Sequence, residues 1–216
     1  MGTGRHEPWG SERLTGRLHV MYPTSLALLH HSDLRLRGKA NPVEQFDNQL
    51  AAFCDQMVDL MGRSGGIGLA APQVGVNARV FVTTGVGQSV GIPSPNVWIN
   101  PVIIHRFGAQ QTYEGCLSFP GYYGLVSRAQ QIMVIWQDLL GRRHTLSVGV
   151  QPGSQDQSLL SRCIQHEVDH LDGILMVDHD RSDGVEFFKT FHTPVATLKR
   201  QRYDPLESVL IDLELG

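Results

Sequence analysis

Cysteine is scarce in this chain, with three among 216 residues. That is too few for a disulfide framework, so a buried apolar core has to hold the fold together. Cys54 falls within an apolar helical stripe and Cys163 beside the core face of a later helical pattern, so both read as buried thiols rather than bridge partners. No apolar run approaches the ~18 residues of a membrane span, and the basic-then-apolar order of a signal peptide is missing. Nor does charge of one sign dominate: 18 Lys and Arg stand against 21 Asp and Glu, for a formal net charge of −3. Such a balance offers nucleic acid no broad basic surface. There is no internal repeat and no second domain boundary. The expectation is one domain, long enough to bury about 70% of its unfolded surface, in a reducing cytoplasmic compartment. Neither a membrane nor direct nucleic-acid recognition is expected.

What is present divides the chain into three stretches. Residues 1–24 are polar, rich in Gly and without periodicity, and are expected as a flexible extension, with Met21 as a second candidate start. Residues 25–180 carry the periodic patterns of a folded domain. Residues 181–216 are expected as a partly flexible C-terminal segment, because Pro194 and Pro205 interrupt any long helix. Within the domain, Asn41-Pro42-Val43-Glu44 reads as a helix cap with proline at the first helical position. The helix it opens carries Phe46, Leu50, Phe53, Met57 and Leu60 and ends near 62–66. Strands are expected at about 78–84, 97–105, 112–119, 125–137 and 143–150, with Leu139-Leu140-Gly141 turning between the last two. A second helix follows. Ser154 with Gln157 resembles a capping box, Gly173 supplies the stop, and Leu160, Ile164, Val168 and Leu171 keep a 3.6-residue period. The fold class is α+β, mostly antiparallel strands around this central helix.

The central helix carries His166-Glu167-Val168-Asp169-His170. Two histidines four apart lie on one helix face about one turn from each other, so both rings can reach one metal ion. The glutamate between them stands beside that ion without binding it, placed to take a proton from a metal-bound water. A solvated helix face with two histidines and two acids is the plainer reading of the pentapeptide alone.

A third ligand decides the class of chemistry. The run after the pair nearly matches the long zinc-protease pattern HExxHxxGxxH, but Met176 stands where the third histidine belongs, so that reading fails at its defining residue. Upstream, Glu114-Gly115-Cys116-Leu117-Ser118 offers a thiol next to a glycine. A thiolate is a strong zinc or iron ligand, although a cysteine in such a place is also a common small buried apolar residue. A third segment, Gly66-Ile67-Gly68-Leu69-Ala70-Ala71-Pro72-Gln73, is no phosphate cradle, since no Gly-Lys-Ser/Thr follows.

Together these segments resemble the peptide deformylases. The family's motifs GxGxAAxQ, EGCxS and HExDH stand here at 66–73, 114–118 and 166–170, in that order and with no defining position altered. Residues 28–37 and 40–43 look like the family's N-terminal signature, so the resemblance covers roughly 25–180, expected as the catalytic domain.

The resemblance implies a metal-dependent hydrolase that removes the formyl group from the N-terminal formylmethionine of newly made polypeptides and releases formate. It implies that Cys116, His166 and His170 bind one divalent metal, Fe2+ in bacteria, with Zn2+, Ni2+ or Co2+ as substitutes suited to the same donors. Glu167 is implied as general base, and the Gln73 amide with the Leu117 backbone N–H as donors to the developing oxyanion. Ile67 and Gly68 are implied to pair with an extended N-formylmethionyl peptide, with Glu114 and Gly115 also on the substrate side. Glu114 is expected to pair with Arg128 and brace the segment carrying Cys116. Gly66, Leu159, Arg162 and Cys163 are implied to surround the methionine side chain. Arg162 departs from the aliphatic residue common there. In some members of the family a C-terminal helix makes a transient ribosome contact, but Lys199, Arg200 and Arg202 lie where Pro194 and Pro205 oppose a long helix, and the expectation for this basic cluster is a solvated tail. The alternatives are a non-catalytic or accessory paralogue that binds peptides and an HExxH metallopeptidase. The intact Glu167 and Gln73 argue against the first, and Met176 against the second.

Overall fold

The computed structural model describes residues 11–14, 17–149, 155–179, 186–189 and 200–202; at 11–14, 17–19, 186–189 and 200–202 it describes the backbone. Strands β1 (Ser11–Leu14) and β2 (Arg17–Val20) pair antiparallel as a hairpin with Leu14 opposite Arg17. The extension expected at 1–24 therefore contains regular structure. Backbone pairing supplies it without the apolar alternation that the sequence lacks there.

Helix α1 (Asn48–Arg63) starts at Asp47, whose carboxylate accepts from the N–H groups of Gln49 and Leu50. The expected cap at Asn41-Pro42 is displaced. Asn41 N–H donates to Asn77 Oδ1 and Val43 N–H to Asn100 Oδ1, each at 2.8 Å, which ties 41–43 to neighbouring segments in place of a first helical turn. Leu50, Phe53, Cys54, Met57 and Met61 recur at helical spacing and are fully buried, so α1 presents one apolar face.

Five strands, β3 (Gly68–Ala70), β4 (Val80–Thr83), β5 (Asn96–Phe107), β8 (Gln131–Gln137) and β9 (Arg143–Gly149), form a sheet in the order β3-β4-β5-β8-β9. A four-stranded sheet runs β11 (Arg200–Arg202), β10 (Glu186–Lys189), β7 (Phe119–Arg128), β6 (Gln110–Cys116). Every pairing among the described strands is antiparallel. Helix α2 (Gln155–Leu171) covers one face of the larger sheet and α1 the other. Successive side chains of a strand point to opposite faces, so β4 splits its run: Phe81 joins Trp98, Val134, Leu160 and Ile164 on the α2 side, while Val80 and Val82 join Phe53, Met57 and Ile99 on the α1 side. Cover on both faces is why β4 reads as a continuous apolar run. Full burial of one such side chain contributes about 1.5–3 kcal/mol.

Two expected strands are each divided. The stretch 112–119 is broken by the Cys116–Phe119 reversal between β6 and β7. The stretch 125–137 is two strands in different sheets, separated at Ala129 and Gln130. Gln165 holds that corner from α2, accepting from Ala129 N–H at 2.9 Å and donating to its carbonyl at 3.0 Å. A long-range clamp of this kind leaves no turn residue in the sequence. Strand β3 falls within the glycine-containing segment 66–73, which carries no expected strand, and the C-terminal segment expected to be partly flexible supplies β10 and β11. The Ser154 cap lies outside the described residues. The α+β class stands, with α2 packed among antiparallel strands.

Candidate active site

Three elements meet at the site: α2, the β6–β7 reversal, and β3 with the 3-10 turn Ala71–Val74 that follows it. On α2, His166 and His170 face the same way with ring centroids 4.9 Å apart. The pairing of β6 with β7 slips between Gly115 and Cys116, and such a bulge re-aims the next side chain. Cys116 thereby reaches α2, its Sγ 3.2 Å from His170 Nε2. One ligand atom from each of Cys116, His166 and His170 falls within 4.8 Å of the others.

The second ring nitrogen of His166 is already committed. Nδ1 lies 3.1 Å from Glu114 Oε2, which fixes the tautomer and leaves Nε2 for the centre. Glu114 also takes both arms of Arg128, Nε at 3.0 Å and Nη2 at 2.9 Å, as expected from the sequence. Arg128 is 4% exposed and also pairs with Asp169, whose Oδ2 is 2.6 Å from His179 Nε2. Burial alone would raise the Glu114 carboxyl, yet the hydrogen bonds and charges of His166 and Arg128 hold it at about 2. Burial keeps His170 well below the usual histidine value, with the nearby His166 acting in the same direction. That leaves its ring neutral, the form that binds a metal.

Glu167 is 3% exposed. Its Oε1 stands over Gly68 so closely that a Cβ there would come within 2.3 Å. Glycine at 68 is therefore a space requirement of the carboxylate, not a turn requirement. Oε2 of Glu167 and Nδ1 of His170 are buried with no hydrogen-bond partner among the described residues. A soft thiol, two imidazoles and an unsatisfied carboxylate oxygen beside them fit a divalent cation and its water better than a dry packed core. Burial pushes Glu167 up to about 7, with His166 and Arg128 pulling the other way.

Gln73 is 1% exposed, and its amide is oriented by the backbone. Oε1 accepts from Ala70 N–H at 2.8 Å, which turns Nε2 toward Cys116 Sγ at 3.5 Å and Ser118 Oγ at 3.3 Å. A cavity of about 560 Å³ opens from this centre. Gly66, Ile67, Gly68, Gln73, Glu114, Gly115, Cys116, Leu117, Leu159, Arg162, Cys163, His166 and Glu167 all line it. His170 lies behind this wall, 1% exposed. Met176 is buried with Phe119 and Leu175 in a separate apolar cluster, so its position holds no ligand.

Sequence reasoning missed Leu28 and Tyr113 in the cavity wall, Ser118 beside Gln73, and the Asp169–His179 extension of the ion network. Asp169 and Ser118 lie inside the motifs and gave a signal; Leu28, Tyr113 and His179 had none of their own, being brought in by the tertiary fold.

The chain matches the family model for polypeptide deformylase over residues 25–185. The chain belongs to the peptide deformylase family. A peptide deformylase of Nitrosococcus oceani is 40% identical over 177 residues, 82% of this chain and 90% of that one. One from Desulfitobacterium hafniense is 46% identical over 143 residues, 66% of this chain and 86% of its own. Among solved structures, the peptide deformylase of Synechococcus elongatus in complex with actinonin matches at a TM-score of 0.65 and 38% identity, covering 76% of this chain and 84% of that one. The peptide deformylase of Legionella pneumophila matches at 0.64 and 37%, covering 74% and 88%. This deformylase relationship spans all three elements of the site, since 66–73, 114–118 and 166–170 fall inside the matched range.

Proposed function

We propose that this chain hydrolyses the formyl amide at the N-terminus of new polypeptides, turning N-formylmethionyl peptide and water into formate and a free amine. The observation that carries the reading is Glu167 buried over Gly68 beside Cys116, His166 and His170, with the Gln73 amide turned toward the same point. Cys116, His166 and His170 would hold the divalent ion, which when bound supplies Lewis acidity and makes water acidic enough to ionise near neutral pH. Glu167 takes the proton of the water that attacks the formyl carbon and returns it to the departing amine. Gln73 Nε2 and the Leu117 N–H donate to the oxygen as charge develops on it. Ile67 and Gly68 offer backbone groups to an extended peptide, while Gly66, Leu159, Cys163 and the stem of Arg162 wall the pocket for its first side chain. A formyl carbon bears only hydrogen, so it suits a narrow centre.

Fe2+ is the ion we assign, following the family resemblance; the donors suit Zn2+, Ni2+ and Co2+ as well. The assignment to the cytoplasm is supported by three free thiols, and no described helix is long and apolar enough to cross a membrane. A transient ribosome contact falls on the C-terminal segment, most of which lies outside the described residues.

Anaerobic formate release from formyl-Met-Ala-Ser, using protein reconstituted with Fe2+, tests the reading. Unformylated Met-Ala-Ser and an internal-bond protease substrate run beside it. Release from the formyl peptide alone is expected. A folded, metal-loaded protein that releases none would overturn the reading in favour of a retained peptide-binding scaffold.

A further inference from the structure

We infer that Arg162 makes this enzyme select peptides that carry a carboxylate shortly after the formylated residue. The inference rests on the deformylase reading above. Arg162 lies one helical turn before His166 on α2 and lines the same cavity. Besides the proposed metal ligands Cys116 and His166, three charged side chains border that cavity: Glu114, Glu167 and Arg162. The two carboxylates are buried deep, and Glu114 is neutralised by Arg128. Arg162 is half-buried and takes part in no ion pair with another described residue. Among the described residues, then, no carboxylate compensates the positive charge that Arg162 brings to this cavity.

The guanidinium is also unsatisfied within the wall. Its Nε is buried and has no hydrogen-bond partner among the described residues. A buried donor of a charged group without an acceptor is costly. An apolar substrate leaves that cost in place, and a basic one adds repulsion. A peptide carboxylate beside the half-buried guanidinium offsets its charge, because guanidinium and carboxylate combine a charge-assisted hydrogen bond with Coulomb attraction. The reacting atoms lie a helical turn away, so the gain belongs to binding and should appear in KM more than in kcat.

The test compares formyl-Met-Asp-Ser, formyl-Met-Ala-Ser, formyl-Met-Lys-Ser and formyl-Met-Ala-Asp, all as C-terminal amides so that a side chain supplies the only carboxylate. The wild-type enzyme should favour an Asp peptide over the Lys peptide in kcat/KM by about five- to tenfold, mostly through KM. A preference for Asp at either position supports the inference and names the position. Raising the ionic strength should compress the ratio in the wild-type enzyme. Arg162→Gln should bring the ratio to about one, and Arg162→Lys should keep part of it. The readout is a ratio within each protein, so a general loss of activity does not obscure it. A wild-type ratio near one, or a ratio that Arg162→Gln leaves unchanged, overturns the inference. Absence of formate from every peptide, the neutral one included, would instead overturn the deformylase reading.

Discussion

Two walls of one site hold a buried glutamate each, and the two side chains have opposite fates. On the strand side, Glu114 sits against Arg128 and His166 and is held at about 2. On the helix side, Glu167 sits over Gly68 with one oxygen unpartnered and is pushed up to about 7. Both are almost wholly buried, at 9% and 3% exposed. Burial alone therefore does not decide what a carboxylate becomes. A bidentate arginine makes Glu114 a permanent anion that orients a histidine, and the lack of one leaves Glu167 able to exchange a proton near neutrality.

The contrast can be broken most forcefully from the helix side. Glu167→Gln keeps the shape and removes the base, so formate release should fall by about 10²–10⁴, while metal content by elemental analysis stays at the wild-type level. Retained turnover would move proton handling to another group. On the strand side, Arg128→Met strands Glu114 and Asp169 without their cation, and breaking a buried pair typically costs about 3–5 kcal/mol. A denaturant titration should show that loss, and a shift under 1 kcal/mol would mean Glu114 is held by something else.

A smaller perturbation sharpens the helix side. Gly68→Ala places a methyl group where Glu167 Oε1 and Cys163 Sγ already stand, at 2.3 and 2.8 Å from the new Cβ. Overpacking costs about 1–3 kcal/mol, and the displaced carboxylate should lower kcat more than it raises KM. An unchanged kcat would show that Glu167 tolerates being moved.

The smallest effect comes from a third carboxylate that has hydrogen bonds but little burial. Asp156 accepts from Ser89 N–H at 2.9 Å and Gly87 N–H at 2.7 Å, and the Ser89 side chain first, then these two N–H groups, hold its carboxyl below the ordinary range. Its folded value is lower than its unfolded one. Its stabilisation is therefore complete above the ordinary carboxylate range and is lost as pH falls through the folded value. Asp156→Asn should cost about 1 kcal/mol at pH 7 after solvent screening, with the difference from wild type shrinking as thermal melts move to acid pH. A constant difference would mean that the charge plays no part.

Much of the site's arrangement was legible in the sequence. The i, i+4 histidines fix two donors on one helix face by geometry alone, and the glutamate between them follows. Cys116 and Gln73 became readable through their motifs, not through local chemistry, since a lone thiol and a lone amide carry no direction. The fold was legible where one face alternates, as in β5 and β8, and where an apolar period of 3.6 runs on, as in α1 and α2. It failed where a long-range contact overrides a local preference. Asn41-Pro42 has the chemistry of a cap, but Asn77 and Asn100 hold that backbone instead. The corner at Ala129 has no turn residue because Gln165 supplies its hydrogen bonds from α2.

By itself the sequence determined the donor types, their order along the chain and the helix that carries two of them. These follow from side-chain chemistry and helical periodicity, which are local. The tertiary structure alone decided that Glu167 keeps one oxygen without a partner among the described residues, that Ala70 N–H turns the Gln73 amide, that the Glu167 carboxylate needs glycine at 68, and that Arg162 has no ion-pair partner among the described residues. Each depends on which distant groups burial brings within hydrogen-bond reach, and a charge acquires its pKa and its partner only there.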